Sequence, residues 1–460
     1  MMLKTWNQLF TRSGWILEEQ GKNTFDCKKE TEENLQFLQA CLEKADVQYV
    51  LKNRELMIVQ ELMDESNWIR AVEKAAKERR DPSYYFNPEY DELEICHLDL
   101  YMMGTVRQLN RLGFSTTLSC DGHDRRFPII YLMKDIDIDL LTSILRLFGI
   151  PRVSFYEMRN HYKLSLRIKR SQLLDLAEQL SNLHSEWLEQ GIEYIERQLL
   201  NQEIEQCLSI PGSSGEEDVI RKVVREKMKP YVDYITVDHY GNLLAEKTYG
   251  NGNGPTILLN AHLDTVYEIE PGRTIQKNGT IWTSSEGILG ADDRAGVAII
   301  VMIAKHLNQS DFCGKVKFIF TVEEEIGLVG AQHVDEYFLW GVDAAIVLDR
   351  RGNSDIVTSC GGIIPFCSSQ YGLFFEQVAK EIGLVGWACR EGGSSDTGVW
   401  ASHGIESVNL SVGYGNEHTA QEFLDVQATY QTYTLLKGIF QKGRELRRTL
   451  RNISTMRCAQ

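Results

Sequence analysis

Apolar residues recur three and four positions apart over residues 30–45, 65–79 and 98–112, and this spacing predicts three amphipathic helices. Residues 113–119 and 127–133 read as two strands around the sequence CDGHDR, in which Asp121-Gly122 is a hairpin signal. Over residues 170–206, Leu173, Leu176, Leu180, Leu183 and Trp187 keep helical spacing, so a long connector helix is expected, broken or bent at Gly191. The first 200 residues therefore read as an α+β domain that ends in this connector.

Beyond it the pattern changes. Ser214, with Glu217 three residues later, has the form of a capping box opening a helix that carries Val219, Ile220, Val223 and Val224. Short apolar runs then alternate with helical segments. ITVDHYGNLLAEK reads as a strand pair, and ILLNAHLD, VKFIFTV, AAIVLD and SVNLSV as strands. Helices are expected over 293–308, 327–338, 371–382 and 395–402, with a final one over 421–450. Such alternation predicts an α/β domain over residues 205–455: a mostly parallel, mixed sheet with helices on both faces.

One strand organises this second domain. ILLNAHLD, residues 257–264, is a buried-strand run whose apolar part ends at His262-Leu263-Asp264. Residues two apart on a strand face the same way, so His262 and Asp264 point together at its carboxyl end, where open α/β sheets place their ligands. A second HLD, at residues 97–99, has no such strand before it, and His97 reads as a structural histidine.

Composition narrows the class. The 460 residues are 43% apolar and 25% charged, ordinary for a globular protein of two or three domains. A net charge of −16 argues against nucleic acid or an anionic membrane as partner, because phosphate contacts need a basic surface. The first 20 residues lack an apolar core of signal-peptide length, and the longest apolar stretch, AGVAIIVMIA, is too short to span a bilayer. Ten cysteines without a CxxC pair read as reduced thiols, so a cytoplasmic protein is expected.

The candidate chemistry gathers where the strands run out. ILLN ends in His262 and Asp264, and ILGADDRAG puts Asp292 and Asp293 at a helix start. FIFTV ends in Glu323, Glu324 and Glu325, AAIVL ends in Asp349, and SVNLSVGYGNE leads to His418. A single acidic strand end is usually a solvated cap. Several imidazoles and carboxylates at one edge of one sheet suit two-metal hydrolysis instead, because these are zinc's usual donors and only a carboxylate offers two oxygens to two ions.

The segments NAHLDTV, GILGADDRAGVA, FTVEEEIGLVGA, VLDRRG, GGSSDTG and GNEHTAQEF resemble, in order, the motifs of the zinc exopeptidase superfamily, the group of peptidase T, the di-zinc aminopeptidases and the aminoacylases. The resemblance implies two divalent metal ions, zinc with cobalt or manganese as substitutes. It implies that His262 and Asp349 hold one ion, Glu325 and His418 the other, and that Asp292 bridges them. It further implies a cis Asp292–Asp293 peptide, Glu324 as the general base acting on a metal-bridging water, and Asp264 as the carboxylate that orients His262. Many members insert a lid or dimerisation domain into the catalytic sheet. Too little chain lies between Asp264 and Asp292, or between Asp349 and Gly392, to hold one here.

These implications make the expected activity hydrolysis of a peptide bond by an aminopeptidase acting on short peptides. The alternatives are an N-acyl-amino-acid deacylase or carboxypeptidase and, from another class, an inactive binding scaffold, which has no need of Glu324. Arg390, Glu391, Asp396 and Tyr414 are candidate substrate contacts. Arg390 would pair with a substrate carboxylate, as deacylation needs, or else be a surface arginine at a strand end. Gly392-Gly393 reads as a tight backbone path beside the metals, and His333 and His403 as structural. In the first domain Cys120 and His123 lie three apart with no second pair in sequence, so SCDGH reads as a turn and no metal ligand is expected there. The role of that domain and the oligomeric state are open.

Overall fold

The computed structural model describes residues 5–81, 84, 86–150 and 152–459. The chain divides into two compact units, Met1–Glu196 and Arg197–Gln460. The division falls inside the helix Ile192–Leu208. The expected connector over 170–206 is not one helix but three: Gln172–Ser181, Ser185–Leu188 and Ile192–Leu208. His184 is extended at φ −106° and ψ 140°, and Gly191 turns at φ +81°, a left-handed value that a glycine adopts without a Cβ clash.

The first unit holds two four-stranded antiparallel sheets among its described residues. Its helices Glu32–Lys44 and Glu65–Arg79 start where Thr31 and Asp64 accept backbone N–H groups, the usual action of these residues before a helix. An aromatic cluster of Trp6, Phe10, Trp15 and Trp68 fills the core between them. The third helix runs over Met103–Arg111 and so begins later than 98. The strands Thr116–Cys120 and Ile129–Leu132 pair as expected, but Cys120 lies opposite Ile129, so loop 121–128 connects them in place of a tight Asp-Gly turn.

The second unit is built on a mixed sheet. Its centre is four parallel strands in the spatial order Glu406–Ser411, Ala344–Arg350, Thr256–His262 and Gly314–Thr321, flanked by antiparallel strands. All four are buried almost throughout. Their side chains alternate between two faces. Leu258, Ile319, Ala345 and Val347 pack with Trp400 of the helix Asp396–Ser402. Ile257, Leu259 and Ile346 face the other way, on the side covered by the helix Ala291–Leu307.

The chain between Asp264 and Asp292 forms only the hairpin Ile275–Asn278 and Ile281–Ser284, which pairs with Phe423–Asp425. The final helical stretch is two helices, Val426–Gln441 and Gly443–Ala459, and residues 421–425 lie outside them. No helix among the described residues is long and apolar enough to cross a membrane.

Candidate active site

The four parallel strands deliver their carboxyl ends to one edge of the sheet, and the candidate ligands sit there. His262 is the last residue of its strand, and Asp349 is the next-to-last of Ala344–Arg350. Glu324 and Glu325 follow the strand that ends at Thr321, and His418 lies beyond the strand that ends at Ser411. Asp292 opens the helix Ala291–Leu307, with a cis peptide to Asp293.

Asp292 lies between the two imidazoles. One of its carboxylate oxygens is 3.1 Å from His262 Nε2, and the other is 3.2 Å from His418 Nε2. Asp349 is 3.6 Å from the same His262 nitrogen, and Glu325 is 2.9 Å from the same His418 nitrogen. The donors thus form two triads, His262–Asp292–Asp349 and Asp292–Glu325–His418, each spaced to hold a metal ion and sharing one residue. Four carboxylates, Asp292, Asp349, Glu324 and Glu325, line one cavity beside the imidazole of His418. That density of negative charge is what cations would neutralise.

The electrostatics follow from this crowding. Burial and the neighbouring Asp349, opposed by His262, push the Glu324 carboxyl up to about 10, and burial likewise raises Glu325 to about 7. The hydrogen bond to Asp292 raises His418 to about 9. Burial opposes a charge on His262, yet the bonds to Asp264, Asp292 and Asp349 raise it well above the usual range. In Asp264 burial is outweighed by the bond to His262, which brings the carboxyl down to about 2.

Around the triads lies a frame of hydrogen bonds. Asp264 is fully buried. Its main-chain carbonyl and one carboxylate oxygen face His262 Nδ1 at 3.0 and 3.3 Å, leaving Nε2 directed at Asp292 and Asp349. It also accepts from Ser214 Oγ and from the backbone N–H groups of Glu324 and Glu325. Ser214 is therefore not a helix cap. The helix Asp218–Met228 starts at Glu217 without a side-chain cap, and Glu217 instead accepts from the N–H groups of Gly215 and Glu323. Glu323, at φ +52°, accepts from the Tyr240 hydroxyl, so the first of the three glutamates is directed at that tyrosine.

Several of these supports were missed in the sequence. Glu422 accepts from three successive N–H groups, those of Gly290, Ala291 and Asp292. Asp293 accepts from His262 N and Gly296 N. A Cβ on Gly296 would lie 2.0 Å from the Leu348 carbonyl oxygen, so only glycine lets the helix approach the Ala344–Arg350 strand this closely. Asn409 both donates to the Asp349 carbonyl and accepts its N–H. Glu422 stands in GNEHTAQEF, four residues after His418, where a second acidic group beside a candidate ligand was the available signal.

A cavity of about 280 Å³ opens on the triads, walled by Asp292, Glu324, Asp349, Arg351, Gly393 and Tyr414 among others. Of the four candidate substrate contacts only Tyr414 is in that wall, and its hydroxyl donates to Asp349 at 3.0 Å. Asp396 is buried and accepts from Thr321 Oγ1, beneath the cavity. Arg390 and Glu391, on the strand Ala388–Gly392, stand outside it. Arg390 is largely exposed, with Asp355 3.9 Å away. His333 stacks on Tyr240, and neither His333 nor His403 joins the triads.

Residues 267–435 match the family described as M42 glutamyl aminopeptidase. The uncharacterized protein YqjE of Bacillus subtilis is 34% identical over 149 residues, which is 30% of this chain and 40% of that protein. Peptidase T of Geobacillus thermodenitrificans is 30% identical over 153 residues, 25% of this chain and 37% of its own. The chain thus spans less than half the length of these two relatives. The crystal structure of the aminopeptidase PepT from Bacillus cereus aligns with 54% of this chain and 99% of its own, at 20% identity and a TM-score of 0.49. The M42 match bears out the resemblance to the zinc exopeptidase superfamily.

Proposed function

We propose that the second unit, of the zinc exopeptidase kind, is a two-metal aminopeptidase acting on short peptides. The observation that carries this reading is Asp292, which turns one carboxylate oxygen to each of two imidazoles at 3.1 and 3.2 Å. His262 and Asp349 would hold one divalent ion, Glu325 and His418 the other, and Asp292 both. Imidazole and carboxylate in this ratio suit zinc, with cobalt or manganese as substitutes. Ions held there supply Lewis-acid polarisation of the scissile carbonyl and lower the pKa of an attacking water.

The chain's own residues supply the rest. Glu324 faces the cavity and is held at its backbone by Asp264. Cations on the triads would oppose the burial and the Asp349 charge that raise its carboxyl, leaving a carboxylate to take a proton from water and pass it to the leaving amine. Tyr414 acts on Asp349, fixing the oxygen directed at His262. Arg390, which would have favoured the deacylase and carboxypeptidase readings by facing the pocket, lies outside the cavity wall, and Arg351 in that wall is paired with Glu417 at 2.8 Å.

The test is a panel of aminoacyl and N-acetyl-aminoacyl chromogenic amides, assayed as purified, after chelation and after zinc reloading. Aminoacyl amides should be cleaved, chelation should abolish cleavage, and zinc should restore it. Hydrolysis that survives complete metal removal overturns the proposal. Preference for the N-acetylated amides transfers the site to deacylation. Full metal loading without turnover of any amide returns it to a binding scaffold.

A further inference from the structure

We propose that the first unit holds a zinc-type divalent ion of its own, on Asp99, Cys120 and His123. The sequence offers Cys120 and His123 without a second pair nearby. The fold supplies the missing donor from the other HLD, at residues 97–99. Asp99, the Cys120 thiol and a His123 ring nitrogen come within 4.8 Å of one another. Thiolate, imidazole and carboxylate are zinc's donors, and three protein ligands leave a fourth position open.

The arrangement around His123 has the spacing that an ion site needs. Its Nδ1 lies 3.2 Å from the buried carboxylate of Asp121, and its Nε2 faces Asp99 Oδ2 at 3.6 Å. The first distance fits a hydrogen bond. The second is too long for one. It does match the separation of two donors on one tetrahedral ion, about 3.3–3.8 Å for bonds of about 2.0–2.3 Å. A metal-bound imidazole commonly gives its other N–H to a carboxylate, and Asp121 stands where that partner is needed. The other Asp99 oxygen accepts from Arg80 at 2.8 Å, and Oδ2 accepts the Asp121 N–H at 3.2 Å, which together fix the carboxylate and leave the second lone pair of Oδ2 for the ion.

Asp99 and Asp121 are both buried, at 6% and 2% exposure, with Arg80 2.8 Å from the first and Arg170 3.8 Å from the second, so the charge left for a cation to offset is that of the Cys120 thiolate formed on binding. His123 and Asp99 also line a cavity of about 490 Å³, open to an ion although Arg70, Lys77, Arg80 and Arg170 are among its walls. The neighbouring group Glu94–Cys96–His97 fails the same comparison. His97 Nδ1 accepts the Asp81 N–H at 3.0 Å, so the neutral ring carries its proton on Nε2, against Glu94 at 3.0 Å, and has no lone pair left for an ion.

The test uses the metal-stripped full-length chain titrated with Co²⁺ and, separately, with Zn²⁺. The peptidase triads contain no sulfur, so a near-ultraviolet thiolate-to-cobalt charge-transfer band that depends on Cys120 reports the first unit, whatever becomes of the proposed peptidase. The wild-type chain and Cys96→Ser should develop the band, and Cys120→Ser should not. Zinc content should fall by one ion per chain in Cys120→Ser and in His123→Ala, with amide hydrolysis unchanged. His123 is exposed, so its variant carries the test even if Cys120→Ser folds poorly. Absence of the band in the wild type, its persistence in Cys120→Ser, or an unchanged zinc content in His123→Ala overturns the proposal.

Discussion

One carboxylate oxygen of Asp264 accepts the backbone N–H of Glu324 at 3.0 Å, while the same side chain faces the imidazole of His262. A single buried group therefore fixes both a candidate ligand and the backbone of the candidate base. Asp264→Asn keeps the shape but turns an NH₂ group toward N–H donors or toward His262. Zinc affinity of the second unit should fall about 10–100-fold, the usual effect of losing a carboxylate behind a ligating histidine. Competition with a chelator of known affinity measures it. An unchanged affinity would mean that His262 is oriented without Asp264.

Glu422 accepts three backbone N–H groups at the turn that presents Asp292. Glu422→Gln leaves one oxygen to serve them and sets an amide NH₂ against the others. Stability should fall by about 1–3 kcal/mol, the cost of unsatisfied buried donors. Urea unfolding of the metal-free chain gives this number without interference from ion binding. A variant as stable as the wild type would show that the turn holds itself.

Much of the second unit was legible because its signals are local. ILLN, FIFTV and AAIVL are buried runs that read as central strands, and each is followed within three residues by its candidate ligand. His262, Asp264 and Asp349 were visible for that reason. Glu422 and Asn409 were not, since each acts on backbone that is distant in sequence. Ser214 was misread because SxxE has the form of a cap, whereas the folded chain turns that hydroxyl to Asp264. In the first unit the edge strand Glu18–Gly21 is polar throughout, and Tyr49–Lys52 is too short to show a clear period. Asp99 meets Cys120 and His123 only through the fold.

Protons compete with metal at the His418 triad. Without metal, the Asp292 carboxylate raises His418 to about 9, and burial raises Glu325 to about 7. A group with a raised pKa keeps its proton below that value, so an ion must displace it. Affinity at this triad should therefore weaken as pH falls from about 9 to 6, by roughly tenfold per unit for each proton displaced. Chelator competition at several pH values measures the slope, and proton release on zinc addition gives an independent count. Affinity constant over that range would place these protons elsewhere.

The neighbouring glutamates should fail in different ways. Glu325 lies 2.9 Å from His418 Nε2 within a triad, whereas Glu324 lines the cavity and belongs to neither triad. Glu325→Ala should therefore lower metal content along with rate. Glu324→Gln keeps size and hydrogen-bonding reach but cannot take a proton, so metal content should match the wild type. Its kcat should fall by about 10²–10⁴-fold, the usual contribution of a positioned general base. KM should change little, because the lost interaction is made in the transition state. Metal analysis alongside kcat for both variants decides the assignment. Metal loss in Glu324→Gln with retention in Glu325→Ala would move the two roles by one residue. Full activity of Glu324→Gln with its metals bound would remove the general base from the mechanism.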